Sequence, residues 1–293
     1  MSSAEVEPVA ANSPHALEKK VHPWMWLSLP AAALGVVASI AGIFADRIYA
    51  RETQQWESQA IAQDIVNLIA YPLLAIFVVL ATRGSLRAYL AWLGTLVFSV
   101  YTYAVYAFAI HFGPLFLVYV AILGLSAYAL IGGMTAVDPA ALKQAFRGPT
   151  PHRLVGRFLA ILGSVFALLW LSIEIPAALR DQVPEDLVEV GLFTNPIHVL
   201  DLSLLLPAVI AGGVLLSRGR PLGYLLGPMF LVALALLSAG IVSIGIVADA
   251  RGESSAWPVV ITQALTVLLL LAALRRMFAA LPPGQRVSGV LRR

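Results

Sequence analysis

Polar residues along the chain are scarce and grouped, leaving eight nearly unbroken apolar runs. These are Trp24–Ala45, Ile65–Thr82, Ala88–Ile110, Pro114–Met134, Leu154–Ile173, Val199–Ser217, Leu222–Val247 and Pro258–Phe278. A helix needs about 20 apolar residues to cross about 30 Å of hydrocarbon, and every run is close to that length. The pattern predicts an all-α, polytopic transmembrane helical bundle of eight spans. It divides into an N-terminal tail (1–23), four spans (24–134), a linker (135–153), four further spans (154–278) and a basic tail (279–293). Both tails read as solvated ends.

Composition supports this reading. Of 293 residues, 60% are hydrophobic and 12% charged, against about 25% charged in soluble domains. The lipid bilayer is thus the first partner. The net charge of +3 is spread over short loops, not clustered as a nucleic-acid footprint requires, so no nucleic acid is expected. The chain has no cysteine, which excludes thiolate metal sites and thiol catalysis. The only lysines are Lys19, Lys20 and Lys143, all outside the runs, so a buried retinal Schiff base is excluded. No phosphate loop or hydrolase motif occurs, and no cofactor is expected.

Arg and Lys distribute unevenly between alternate connections. One side holds Arg83, Arg87, Lys143, Arg147, Arg153, Arg157, Arg218, Arg220, Arg275 and Arg276 with both tails; the other holds only Arg47, Arg51, Arg180 and Arg251. By the positive-inside rule both termini are cytoplasmic, in a bacterial inner membrane.

The halves also share a pattern. The stretch from Pro72 aligns without gaps on that from Pro207, matching Pro72 with Pro207, Arg83-Gly84 with Arg218-Gly219, and Tyr89 with Tyr224. This predicts a parallel repeat of two four-helix units, related by a two-fold axis along the membrane normal.

Ionisable residues in spans cost at least about 2.5–3.5 kcal/mol each and are functional candidates. Asp64, Glu174 and Asp201 are the three, all near the outer side. Around Asp64, Gln59, Gln63, Asn67 and Tyr71 recur every four residues as one stripe. Span 3 carries Thr95, Ser99, Thr102, Tyr103 and Tyr106 on one face, with His111 at its outer end. The plainer alternatives are that Asp64 and Asp201 sit near helix N-termini, favoured by the dipole, and that the tyrosines are interfacial anchors. In span 6, Asn195-Pro196 reads as N-cap and N1. His198 and Asp201 then share a face, as a proton-accepting couple, an interfacial pair, or two metal ligands awaiting Glu174, Asp64 or His111.

The motif W-x-x-Q-x-x-x-Q-D (Trp56, Gln59, Gln63, Asp64), the Arg83–Leu86 turn, Tyr101-Thr-Tyr103 and Phe116-Leu-Val-Tyr119 resemble those of uncharacterised bacterial integral membrane proteins. The resemblance covers spans 2–4, about a third of the chain, and implies no activity. The reading from residues is a transporter or channel for a small solute or ion, proton-coupled if its acids exchange protons, with an outward polar site. The alternatives are an intramembrane metal- or acid/base-dependent enzyme and a non-catalytic sensor or assembly subunit.

The topology is directly testable. A reporter fused at the C-terminus is expected in the cytoplasm and one inserted at Glu185 outside. A C-terminal reporter on the outer side overturns the eight-span count.

Overall fold

The computed structural model describes residues 23–147 and 151–292; the tail expected over 1–23 lies outside them except for Pro23. Eight helices are long and apolar enough to cross a membrane, and the chain is a multi-pass membrane protein. A 3₁₀ turn, Pro23–Leu27, leads into α1 (Ser28–Phe44), followed by α2 (Gln54–Thr82), α3 (Leu86–Ala109) and α4 (Phe116–Ala136). The short α5 (Pro139–Ala145) lies within the expected linker. The second half comprises α6 (His152–Leu179), the short α7 (Glu185–Val190), α8 (Pro196–Leu200), α9 (Leu206–Ser217), α10 (Pro221–Ala250) and α11 (Trp257–Ala279). A π-turn over Asp201–Leu205 joins α8 to α9 in one continuous span, Pro196–Ser217.

Local sequence sets several boundaries. Thr53 caps α2 by accepting from the Trp56 N–H, and Ser85 caps α3 by accepting from Ala88. Asn195 accepts from the N–H groups of Ile197 and His198, with Pro196 at the first helical position, as the sequence predicts. The α2–α3 and α9–α10 turns at Arg83-Gly84 and Arg218-Gly219 are built alike. Arg83 and Arg218 bond the carbonyls of Val79 and Val214, Gly84 and Gly219 those of Ala81 and Leu216. Both glycines take positive φ, +96° and +64°, which closes the helices in a left-handed turn.

Helix α3 is the most enclosed span, packed on α2, α4 and α10, whereas α6 and α11 turn most residues outward. Helix α1 packs on α2 and α4. Helix α6 joins through α9, where Gly156 and Gly213 bring the backbones together: a Cβ on Gly156 would lie 2.5 Å from the Gly213 carbonyl oxygen. Gly223 of α10 likewise lies against the backbone of Leu216. The two halves pack differently, since α1 meets α4 while α6 and α11 form no packed pair among the described residues.

The C-terminal tail departs from expectation. It is a strap laid across the turns at its end of the bundle. The N–H of Val287 donates to Gly84, that of Leu86 to Gln285, that of Asp138 to Val290 and that of Arg292 to Ala136. Arg87 donates to the Leu281 carbonyl at 2.5 Å, and Leu281 and Val290 are buried. The reason is physical: Leu281 and Val290 supply apolar anchors, and neighbouring turns offer unpaired backbone groups. Leu281→Ala should cost about 2–5 kcal/mol and lower the thermal midpoint of the protein in detergent. An unchanged midpoint would mean that the strap contributes nothing.

Candidate functional site

The stripe on α2 faces the bundle interior. Asp64, Asn67 and Tyr71 are buried, while Gln59 and Gln63 are half-buried. Helix α2 begins eleven residues before the apolar run does, so Asp64 stands ten residues, or about 15 Å, beyond Gln54. The helix dipole fades within the first turn, so the N-terminus reading of Asp64 does not hold. The anchor reading of the tyrosines also fails: Tyr71, Tyr103 and Tyr106 are all buried.

Asp64 is enclosed by neutral donors. Tyr49 donates to Oδ2 at 2.6 Å, Tyr106 to Oδ1 at 3.2 Å, and the Asn67 amide to Oδ1 at 3.4 Å. Tyr106 also donates to the Ala60 carbonyl at 3.0 Å, and Gln63 donates to Asn67 at 3.3 Å. Tyr49 lies in the α1–α2 loop; burial, with Tyr106 and Asp64 beside it, pushes its phenol well above the ordinary value. It therefore remains a protonated donor throughout the working pH range. No cationic side chain among the described residues pairs with Asp64.

Helix α1 makes room for this cage. Gly35, Ser39 and Gly42 share one face. A Cβ on Gly42 would lie 2.0 Å from Asp64 Oδ2, and one on Gly35 would lie 2.5 Å from the Tyr71 ring. Behind the carboxyl, Tyr103 stacks on Tyr106 and meets Tyr71 and Tyr119 edge-on or tilted. The hydroxyls of Ser39, Tyr103 and Tyr119 are buried beside them and, among the described residues, meet no partner in hydrogen-bond geometry. Tyr71, Ser99 and Ser126 continue inward as a chain with 2.8 Å links.

Asp201 has a second, separate cage. Tyr101 of α3 donates to Oδ1 at 3.0 Å and the Trp170 indole of α6 to Oδ2 at 2.7 Å. His198 does not pair with Asp201. Its Nδ1 bonds Glu174 at 2.6 Å, and its ring lies 4.1 Å from that of Trp170. His111 is apart from both centres. Half-exposed, it joins Glu52, whose side chain is 1% exposed, at 2.9 Å. The expected grouping of Asp64, His198 and Asp201 is not seen in their hydrogen bonds, which fall in separate sets. Helix α3 stands between the two carboxylates because Tyr101 and Tyr106, five residues apart, leave it on different faces.

Two adjoining cavities lie on the Asp201 side. One, of 70 Å³, is lined by Gln59, Gln63, Tyr101, Thr102 and Tyr106 among others; the next, of 130 Å³, shares Gln63 and Tyr101 and reaches Asp201 and Trp170. Among the described residues no group of three His, Asp or Glu side chains is placed to hold a metal. Comparison of the chain with family models, with curated proteins and with solved structures finds no match.

Tyr49, Tyr101, Tyr119 and Trp170 were not among the site candidates read from the sequence, although Tyr101 and Tyr119 stand in motifs noted there. A partial signal existed in α1, where the small residues Gly35, Ser39 and Gly42 follow helical spacing opposite a polar stripe. The cage predicts a cost for lost donors. Tyr49→Phe removes the shortest hydrogen bond to a buried carboxyl and should destabilise the protein by about 1–3 kcal/mol, read as a lower thermal midpoint in detergent. An unchanged midpoint would show that Tyr49 does not hold Asp64.

Proposed function

We propose that the protein is a small-solute or ion transporter in which Asp64 takes up and releases a proton. The observation that carries this is the buried Asp64 carboxyl, met by neutral donors and, among the described residues, by no cation. A carboxyl held this way gains or loses charge by exchanging a proton with its surroundings, and each exchange changes the electrostatics of the enclosing helices. The phenols of Tyr49 and Tyr106 supply donors to the ionised form. Beyond Asp64, on the α1–α2 and α3–α4 connections, the buried Glu52 carboxylate bonds half-exposed His111. Gln59, Gln63 and Thr102 line the space toward the second half, where the solute would sit.

The alike turns at Gly84 and Gly219 support reading the halves as copies of one unit, from which the unequal packing has since diverged. The basic residues at the strap end support placing that end in the cytoplasm.

The test is proton movement in proteoliposomes that contain a pH-sensitive dye. Under an imposed membrane potential the wild type should acidify or alkalinise the lumen faster than empty liposomes. Asp64→Asn, nearly isosteric but without the charge, should lower that rate at least tenfold while shifting the thermal midpoint by only a few degrees. Equal rates in the two proteins, or a wild type no faster than empty liposomes, would remove proton exchange at Asp64.

A further inference from the structure

The 130 Å³ cavity beside Asp201 has a chemistry of its own. It is bounded by α6, the span containing the π-turn, and α10, and is closed by Tyr101 and Gln63. Its volume is close to that of a cavity able to enclose a benzene ring. Asp201 is the one carboxylate in the lining, and no Lys, Arg or His joins it there. Each carboxylate oxygen accepts one neutral donor, from Tyr101 and from Trp170. The nearest histidine, His198, directs Nδ1 to Glu174 instead. Among the described residues Asp201 therefore makes no ion pair, and His198 acts on it only through space. Around it the wall is aromatic and aliphatic, with Phe166, Trp170, Leu205 and Ile241 prominent.

The backbone is specialised at the same place. The Leu206 N–H bonds the Asp201 carbonyl across a π-turn, and such turns are rare and concentrate at functional sites. The turn inserts a residue just before Pro207. It leaves both Asp201 and Leu205 buried while Leu204 points outward.

We propose that this cavity binds a small organic ammonium, its cationic head against Asp201 and its hydrocarbon against the aromatic and aliphatic wall. The carboxylate disfavours anions. A bare metal ion would find too few oxygen or nitrogen ligands, and a neutral solute would leave the carboxylate unmatched. An alkylammonium satisfies both surfaces, through charge pairing at one end and apolar and cation–π contact at the other. The head is recognised as an ammonium group, whether it arrives free or on a lipid headgroup. The proposal names a substrate class for the transporter and rests on that reading for its physiological meaning, while binding is measured without transport.

The experiment is calorimetric titration of the purified full-length protein in a maltoside detergent with tetramethylammonium chloride. Sodium chloride and tert-butanol serve as the inorganic and neutral controls. Saturable binding of tetramethylammonium alone is expected, weakened at least tenfold by Asp201→Asn. Ile241→Trp fills the cavity while leaving the carboxylate in place, and should weaken binding as much, so the test survives poor folding of the Asn variant. Repeating the titration in phosphatidylglycerol and phosphatidylcholine nanodiscs separates the sources. Weaker binding in phosphatidylcholine supports a lipid headgroup as the occupant, and equal binding supports a free ammonium. Absence of tetramethylammonium binding, equal binding of tert-butanol or sodium, or unchanged affinity in both variants overturns the proposal. Binding without proton movement in liposomes would overturn the transport reading alone, and proton movement without binding would overturn this one alone.

Discussion

The Asp64 carboxyl and its donors set the spacing of the first half of the bundle. In a bilayer a buried polar group finds no solvent, so its partners must come from neighbouring segments. Helix α3 brings Tyr106, the α1–α2 loop brings Tyr49, and α2 itself brings Asn67. These side chains fit only because α1 presents glycine at positions 35 and 42, where a single methyl group would collide with Tyr71 or with the carboxyl. The approach of α1 to α2, the course of the loop between them and the rotation of α3 about its axis are therefore parts of one arrangement.

The second carboxylate follows a different plan. Asp64 is closed in by side chains, whereas Asp201 stands at the wall of a cavity. Helix α3 serves both, sending Tyr106 one way and Tyr101 the other, which explains why it is the most enclosed span. The loose packing of α6 against everything except α9 leaves the space that the Asp201 side contains. One half of the molecule is dense and polar inside; the other is open and apolar inside.

Much of the fold was legible because lipid imposes a strict length and hydropathy rule, and all eight spans follow it. Helix ends were less legible. The polar first turns of α2 extend beyond the apolar run, so Asp64 read as a residue near a helix start although it stands several turns in. Of the site, the Gln59–Tyr71 stripe was readable from its spacing and faces inward as that spacing implies. Tyr49, Tyr101 and Trp170 were not readable, because each meets its carboxylate across 15 to 100 residues of chain. The pairing of His198 with Glu174 instead of Asp201 was hidden for the same reason: periodicity relates residues within a helix and says nothing of its neighbours. The docked tail escaped because its anchors, Leu281 and Val290, are isolated apolar residues in a segment otherwise rich in Pro, Gly and Arg.

That tail carries a consequence for how the molecule is made. The strap follows all eight spans in the sequence and so leaves the ribosome after them, yet it bonds to turns made far earlier, at Gly84, Ala136 and Asp138. Until the strap is made, those turns hold unpaired backbone groups, and the helices they join remain free to adjust against one another. Docking of the strap is thus the event that fastens turns already in place, so a nascent chain stalled before residue 286 would be inserted but not fastened.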